Sequence, residues 1–286
     1  NALLTSIQLE FIDIIDGTGG GGDGLGRIGS ELARIDYMFG RNYTNVWGPS
    51  TFDDEWQNAY ADMLADIRIM QPLAEEAGLT THTGIAKVLE AFTIVTLVDF
   101  FGDIPYSEAL QGINNISPNV DPGADVYAAA LGLLDSAISD FGNTPLANPG
   151  SDFFYGGNRT KWIRAANTIK MKIYLQTRLL NGGASIASFN SIVASGNYIT
   201  SSADDFEFGA WGTNEVQPDV RHPRYRSNYT TTGGGDYMAN WLMNYMDTNN
   251  DPRIRYYYFR QNEFTPGAEI APNEETLQCS LQEAPP

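Results

Sequence analysis

The side chains able to carry acid–base or metal chemistry are few. The 286-residue chain has two histidines, His82 and His222, and one cysteine, Cys279. A Cys/His zinc site would need carboxylates to complete its ligand set, and no HExxH pair occurs. No GxSxG elbow presents a serine nucleophile, although residue counts alone leave a Ser-His-Asp set open. His82 falls just ahead of a helix-patterned run, where a capping or surface position explains it. The pairs Asp53–Asp54 and Asp204–Asp205 supply carboxylates. Glycoside hydrolysis needs two of them opposed across the bond, and sequence spacing does not set that separation. Surface solvation and helix capping account for both pairs.

Two further patterns fail on their details. A formal GxGxxG stands at Gly19, Gly21 and Gly24. The segment before it, IQLEFIDII, fits a helix as well as a strand, and no second βαβ unit follows, so a flexible loop is the plainer reading. DTNNDP at 247–252 opens like a calcium loop, with Asp247, Asn249 and Asp251 at positions 1, 3 and 5. Pro252 then stands where Gly is required and Tyr258 where Glu is required, which leaves a helix-ending turn.

The elements that must position any site are mostly helices. Apolar residues recur at helical spacing over 3–15, 27–40, 54–77, 84–101, 124–140, 161–180, 185–194 and 236–247. The 54–77 helix is capped by Asp53, ends at Gly78 and is expected to break or kink near Pro72. Two apolar faces on 84–101, one with Ile85, Val88, Leu89 and Phe92 and the other with Ala91, Ile94, Val95 and Val98, mark a central helix. Tyr198–Thr200 and Phe206–Phe208 suggest short extended pieces. Helices joined in pairs suggest a tetratricopeptide-like superhelix, although no repeat of about 34 residues is visible in the letters. The expected organisation is a helical scaffold over 1–195 and a loop-rich portion of the same domain over 196–286.

Charge narrows the partners. The net charge is −18; residues 1–157 hold 22 acidic and 5 basic groups, and residues 158–286 hold 13 and 12. Such a chain repels phosphate backbones, so nucleic acid is a poor partner. No run of roughly 18 uncharged apolar residues occurs to cross a membrane. No cofactor is expected. The chain opens directly into a helix pattern and stops at Ala-Pro-Pro, so targeting residues before it and a sizeable piece after it are expected.

At 84–110 the string GIAKVLEAFTIVTLVDFFGDIPYSEAL resembles the signature of the SusD/RagB family, the surface nutrient-binding lipoproteins of Bacteroidetes. Asp99, Phe101, Gly102, Asp103, Ile104, Pro105, Tyr106, Ser107, Glu108 and Ala109 carry it. Further matches follow in the family's order. Trp56 and Tyr60 fit its W-x-x-x-Y helix; Asp121-Pro122, Val126-Tyr127 and Leu134-Asp135-x-Ala137 fit its next helix. The run DFFYGGNRTKWIRAANTIKM from Asp152 fits a third segment.

The resemblance implies helix pairs of tetratricopeptide type with a less regular portion packed on them, and no enzymatic activity. It implies a lipid anchor upstream of the visible chain on the extracellular face of the outer membrane. It also implies a SusC-type TonB-dependent transporter barrel as partner, over which the chain acts as a lid that captures a glycan or peptide. The signature itself reads as structural: Gly102 and Pro105 make a sharp exit after a buried helix, Asp99 is expected to bond loop backbone amides, and Trp162 and Asn167 to pack in the core. Ligand contacts are expected from two loops rich in aromatic and amide groups, which suit sugar faces and hydroxyls. One offers Tyr43, Asn45 and Trp47; the other offers Trp211, Asn214, Arg224, Tyr225 and Tyr229. The basic run Arg159, Lys161, Arg164, Lys170, Lys172 and Arg178 reads as a solvated face, or else as a dock for the acidic half or a transporter. RIRYYYFR at 253–260 suits an interface, an anionic glycan or a half-buried strand. The rival readings are a glycoside hydrolase, and a protein-binding helical scaffold with no small ligand.

Overall fold

A computed structural model of the chain describes residues 1–17, 24–38, 47–48, 50–216, 219–228 and 237–257. Its contacts form two compact units, Asn1–Ile12 with Trp56–Ala210, and Asp13–Glu55 with Trp211–Pro286. The fold is mainly helical: α1 (Ala2–Asp16), α2 (Leu25–Leu32), α3 (Asp53–Gln57), α4 (Ala65–Glu76), α5 (Thr80–Phe101), α6 (Gly123–Gly142), α7 (Arg159–Gln176), α8 (Arg178–Asn181), α9 (Gly183–Ser195), α10 (Pro223–Asn228), α11 (Asn240–Thr248) and α12 (Ile254–Tyr257). Among the described residues there is no strand, only the isolated antiparallel bridges Asp36–Met238 and Ile104–Asp121.

Within the first unit, successive helices run antiparallel. Met63 and Arg68 on the α4 side meet Thr93 and Glu90 of α5. Gly84 at the start of α5 lies against Phe141 at the end of α6, and Gly123 at the start of α6 lies against Val98 and Gly102. Arg159 at the start of α7 donates to the Phe141 carbonyl at 3.1 Å. These are the helix pairs expected from the sequence. α5 is the central helix: Ile85, Val88, Leu89, Ala91, Ile94, Val95 and Leu97 are all buried, as two apolar faces require. Gly102, at φ 81°, turns the chain out of it. Among the described residues no helix is long and apolar enough to cross a membrane.

The signature loop after α5 is held by its own polar side chains. Asp121 accepts the Tyr106 and Ser107 amides at 2.8 Å each and the Ser107 hydroxyl at 2.6 Å. Asp103 accepts the Gly123 amide at 2.9 Å. The Tyr106 hydroxyl donates to buried Glu90 at 2.8 Å, beside the Arg68 guanidinium at 2.6 Å. Burial and the Glu90 charge both push the Tyr106 hydroxyl pKa up. The third motif has a similar hub. Asp152 accepts the amides of Phe154, Tyr155 and Gly157 and the indole N–H of buried Trp162. Asn167 donates to the Asn197 carbonyl at 2.8 Å.

Several sequence expectations need correction. Asp99 does not bond loop amides; it accepts from the Tyr127 hydroxyl and, at 2.7 Å, from Gln176. The 54–77 helix is not broken at Pro72, which lies inside α4, and a π-helical stretch at Asn58–Leu64 interrupts it earlier. α2 stops at Leu32 rather than 40, because Arg34 enters the left-handed region at φ 57° and Ile35–Tyr37 bond backbone to Tyr237–Ala239 instead. His82 is not ahead of a helix but inside the first turn of α5, buried, with Nε2 3.1 Å from Asn1 Oδ1.

The pieces at 198–200 and 206–208 form no ladder; Phe206 instead stacks on Phe154 at 4.6 Å. The basic run of α7 is paired within the chain while staying partly solvated, with Arg164 and Lys172 still 37% and 40% exposed. Arg164 meets Asp204 at 2.5 Å, Lys170 meets Asp135 at 2.5 Å and Lys172 lies 3.7 Å from Asp99. Arg253–Tyr257 is a bend and a helical turn, not a strand. The segment before the glycine run is helical, which removes the dinucleotide-binding reading; Gly19 and Gly21 lie outside the described residues.

Candidate functional site

Residues 211–226 of the second unit bring aromatic, guanidinium and amide groups onto one loop and the short helix α10. The loop is closed by the Gly212 amide donating to the Val220 carbonyl at 2.8 Å. Asn214 braces it: its side-chain amide donates to the Val216 carbonyl at 2.8 Å, and its backbone carbonyl accepts the Val220 amide. Arg221 meets Asp219 through two donors, Nε at 3.1 Å and Nη2 at 2.9 Å. That fork holds the Asp219 carboxyl down to about 2. The Arg221 guanidinium also lies 6.0 Å from the Tyr225 ring centre.

His222 joins the loop to the rest of this unit. Its Nδ1 accepts the Arg224 amide at 3.2 Å, so the proton sits on Nε2, which faces Asp16 at 3.0 Å. The Trp211 ring meets the imidazole edge-on at 5.3 Å. Arg224 reaches Asp36 at 3.0 Å. Trp211 and Arg224 are half-buried, and Tyr225 is 50% exposed. Rigidly held, partly exposed rings beside a planar cation can stack on a sugar face and donate to its hydroxyls.

The structure thus gathers Trp211, Asn214, Arg224 and Tyr225 on one framework. Trp47 is half-buried, just ahead of a turn closed by Gly48 and Thr51. Tyr43, Asn45 and Tyr229 lie outside the described residues. Sequence reasoning gave no role to Asp219, Arg221 or His222. The Asp-x-Arg spacing that closes the fork was a visible signal, whereas the Asp16 partner of His222 lies 206 residues away. A cleft went unforeseen in the first unit: about 800 Å³ between α5, α6, α7 and α9, lined by Asp99, Tyr127, Leu131, Tyr174 and Gln176. Its lining comes from helix faces that read as ordinary packing.

Among the described residues no group of three or more His, Cys, Asp or Glu could hold a metal ion. DTNNDP forms a helix-ending turn, with Asn250 left-handed at φ 51° and Asp251 paired to Arg253.

Residues 31–270 match the family model SusD-like_2, described as starch-binding associating with outer membrane. Solved structures share the fold. A SusD/RagB family protein from Bacteroides thetaiotaomicron superposes with a TM-score of 0.74 at 21% identity, covering 98% of this chain and 61% of that one. A chitin-binding SusD homologue from Flavobacterium johnsoniae gives 0.69 at 17% identity, covering 96% and 58%. A SusD homologue from Bacteroides uniformis gives 0.68 at 20%, covering 97% and 57%. The chain therefore spans about three fifths of the length of these structures. No curated protein matches it.

Proposed function

This chain belongs to the SusD-like family, and from that premise we propose that it is a binding protein, not an enzyme, that captures a glycan nutrient at the outer membrane. The match over residues 31–270 carries the reading. The chitin-binding description of one structural neighbour supports a glycan over a peptide. In this reading the chain is lipid-anchored on the extracellular face and caps a SusC-type TonB-dependent transporter barrel. It acts as a lid that opens by rigid-body hinge motion. Trp47, Trp211, Tyr225, Tyr43 and Tyr229 supply stacking rings for the ligand, and Asn45, Asn214 and Arg224 supply hydrogen bonds.

The test is calorimetric titration of the complete protein with chitin and starch oligosaccharides, repeated on Trp47→Ala and Trp211→Ala. Binding without release of shorter products is expected, with each variant weakened at least about tenfold, the scale of a lost aromatic anchor. Product release would establish a hydrolase. Wild-type binding with unchanged affinity in both variants would remove the proposed site and keep the binding role. Recovery of the protein from outer membranes without a large barrel would count against the lid.

A further inference from the structure

The loop between α5 and α6 is built inside out. Several of its polar side chains are spent on bracing, and although Ile104 at its base is buried, three of its aliphatic side chains face solvent. Glu108 Oε2 accepts the Asn119 amide at 3.1 Å, the Asn119 side chain at 3.0 Å and the Asn115 side chain at 3.2 Å. Asn115 Oδ1 in turn accepts the Ser117 amide at 3.2 Å. The paired backbone of Ile104 and Asp121 closes the base of the loop. On this frame Ile113 is 96% exposed, Ile116 87% and Val120 60%. Beside them a shallow groove of about 370 Å³ is lined by Trp56, Tyr60, Pro105, Leu110 and Pro118. Folding gains nothing from branched aliphatics held in water, whereas a binding surface gains from having them ordered beforehand.

Charge selects the occupant. Between Lys87 and Arg159 the sequence has nine acidic residues and no basic one. Asp103, Glu108, Asp121 and Asp125 belong to this loop and the first turn of the helix that follows. An anionic lipid surface would be repelled, and a second copy would bring like charges together. We propose that Ile113, Ile116, Val120 and the adjoining Trp56–Pro118 groove form a docking surface for a protein partner that offers apolar pockets edged with Lys or Arg. This rests on the transporter reading above and assigns that partner a place on the chain.

The test uses the full protein and its purified SusC-type transporter in detergent. Ile113→Ser/Ile116→Ser should bind at least about tenfold more weakly than wild type, and wild-type affinity should fall as salt rises. Both side chains are solvent-exposed, so the thermal midpoint should hold. Leu146→Ser, an exposed leucine at the opposite end of the α5–α6 pair, should bind like wild type. Equal affinity of the double variant overturns the surface while leaving the transporter reading intact. A wild-type protein that does not bind the transporter overturns that reading and the proposal with it. A wild-type dimer in sedimentation that the double variant abolishes, or binding to phosphatidylglycerol vesicles that it abolishes, would name a different occupant and overturn the proposal.

Discussion

The indole N–H of Trp162 donates to Asp152 at 2.8 Å, and the same carboxylate gathers the amides of Phe154, Tyr155 and Gly157. One acidic side chain thereby joins α7 to the turn that precedes it. That turn carries Phe154 and Tyr155, which meet Trp162 edge-on at 5.6 and 5.2 Å. Asp152→Ala should lower unfolding free energy by about 2–4 kcal/mol, since hydrogen bonds to a charged group are lost and a buried N–H is left unsatisfied. Trp162→Phe should cost less than Trp162→Ala, because it keeps most of the ring packing. Urea denaturation checks both, and a loss below about 1 kcal/mol for Asp152→Ala would show that the turn holds without its hub.

Glu90 is fully buried, and its Oε1 takes both Arg68 and the Tyr106 hydroxyl. Removing Arg68 alone strands a carboxylate in the core. Arg68→Met should therefore destabilise by about 3–5 kcal/mol, whereas Arg68→Met with Glu90→Leu should recover part of that loss. A double-mutant cycle measures it; additive losses would mean that the pair is not energetically coupled.

Much of this scaffold could be read in letters because its helix stops are local. Gly78, Gly102 and Gly196 stand where α4, α5 and α9 end, each with positive φ. What escaped depends on residues distant in sequence. No letter near Arg34 ends α2; the partner that competes for its backbone is at 237–239. The basic stripe of α7 looked solvated because Asp135 and Asp204, which neutralise it, belong to other segments. The candidate site shows the same division. Trp211, Asn214, Arg224 and Tyr225 were recognisable by type, although Arg224 and Tyr225, expected in a loop, stand on the short helix α10. That His222 links the loop to Asp16, and that Arg224 is paired with Asp36, required coordinates.

Gly84 of α5 lies close against Phe141 of α6. A Cβ added there would lie 2.6 and 2.8 Å from ring carbons of Phe141, which is itself buried and stacked beside Trp162. Helix propensity favours alanine over glycine by about 1 kcal/mol. Overpacking a filled core costs about 1–3 kcal/mol, so the net effect of Gly84→Ala should be destabilising. Gly132→Ala is the control, since nothing lies within 4 Å of its added Cβ; it should be neutral or stabilising. A thermal midpoint raised by Gly84→Ala would mean that Phe141 moves aside at no cost.

Asp121 gives the signature loop a pH dependence of predictable sign. The Ser107 hydroxyl and amide, with the Tyr106 amide, hold its carboxyl below the ordinary 3.8. The folded loop therefore binds this proton more weakly than the unfolded chain does. Above pH 3.8 both states are ionised and the stabilisation is fully present. As pH falls through 3.8 the unfolded chain takes up the proton first, and the advantage shrinks until the folded carboxyl is protonated too. Asp121→Asn cannot titrate, so it should start less stable than wild type at about pH 5, and the gap should shrink as pH falls below 3.8. Thermal midpoints of the two proteins across that range measure the gap. A gap that stays constant or widens as pH falls would mean that the loop is not held by the ionised carboxylate.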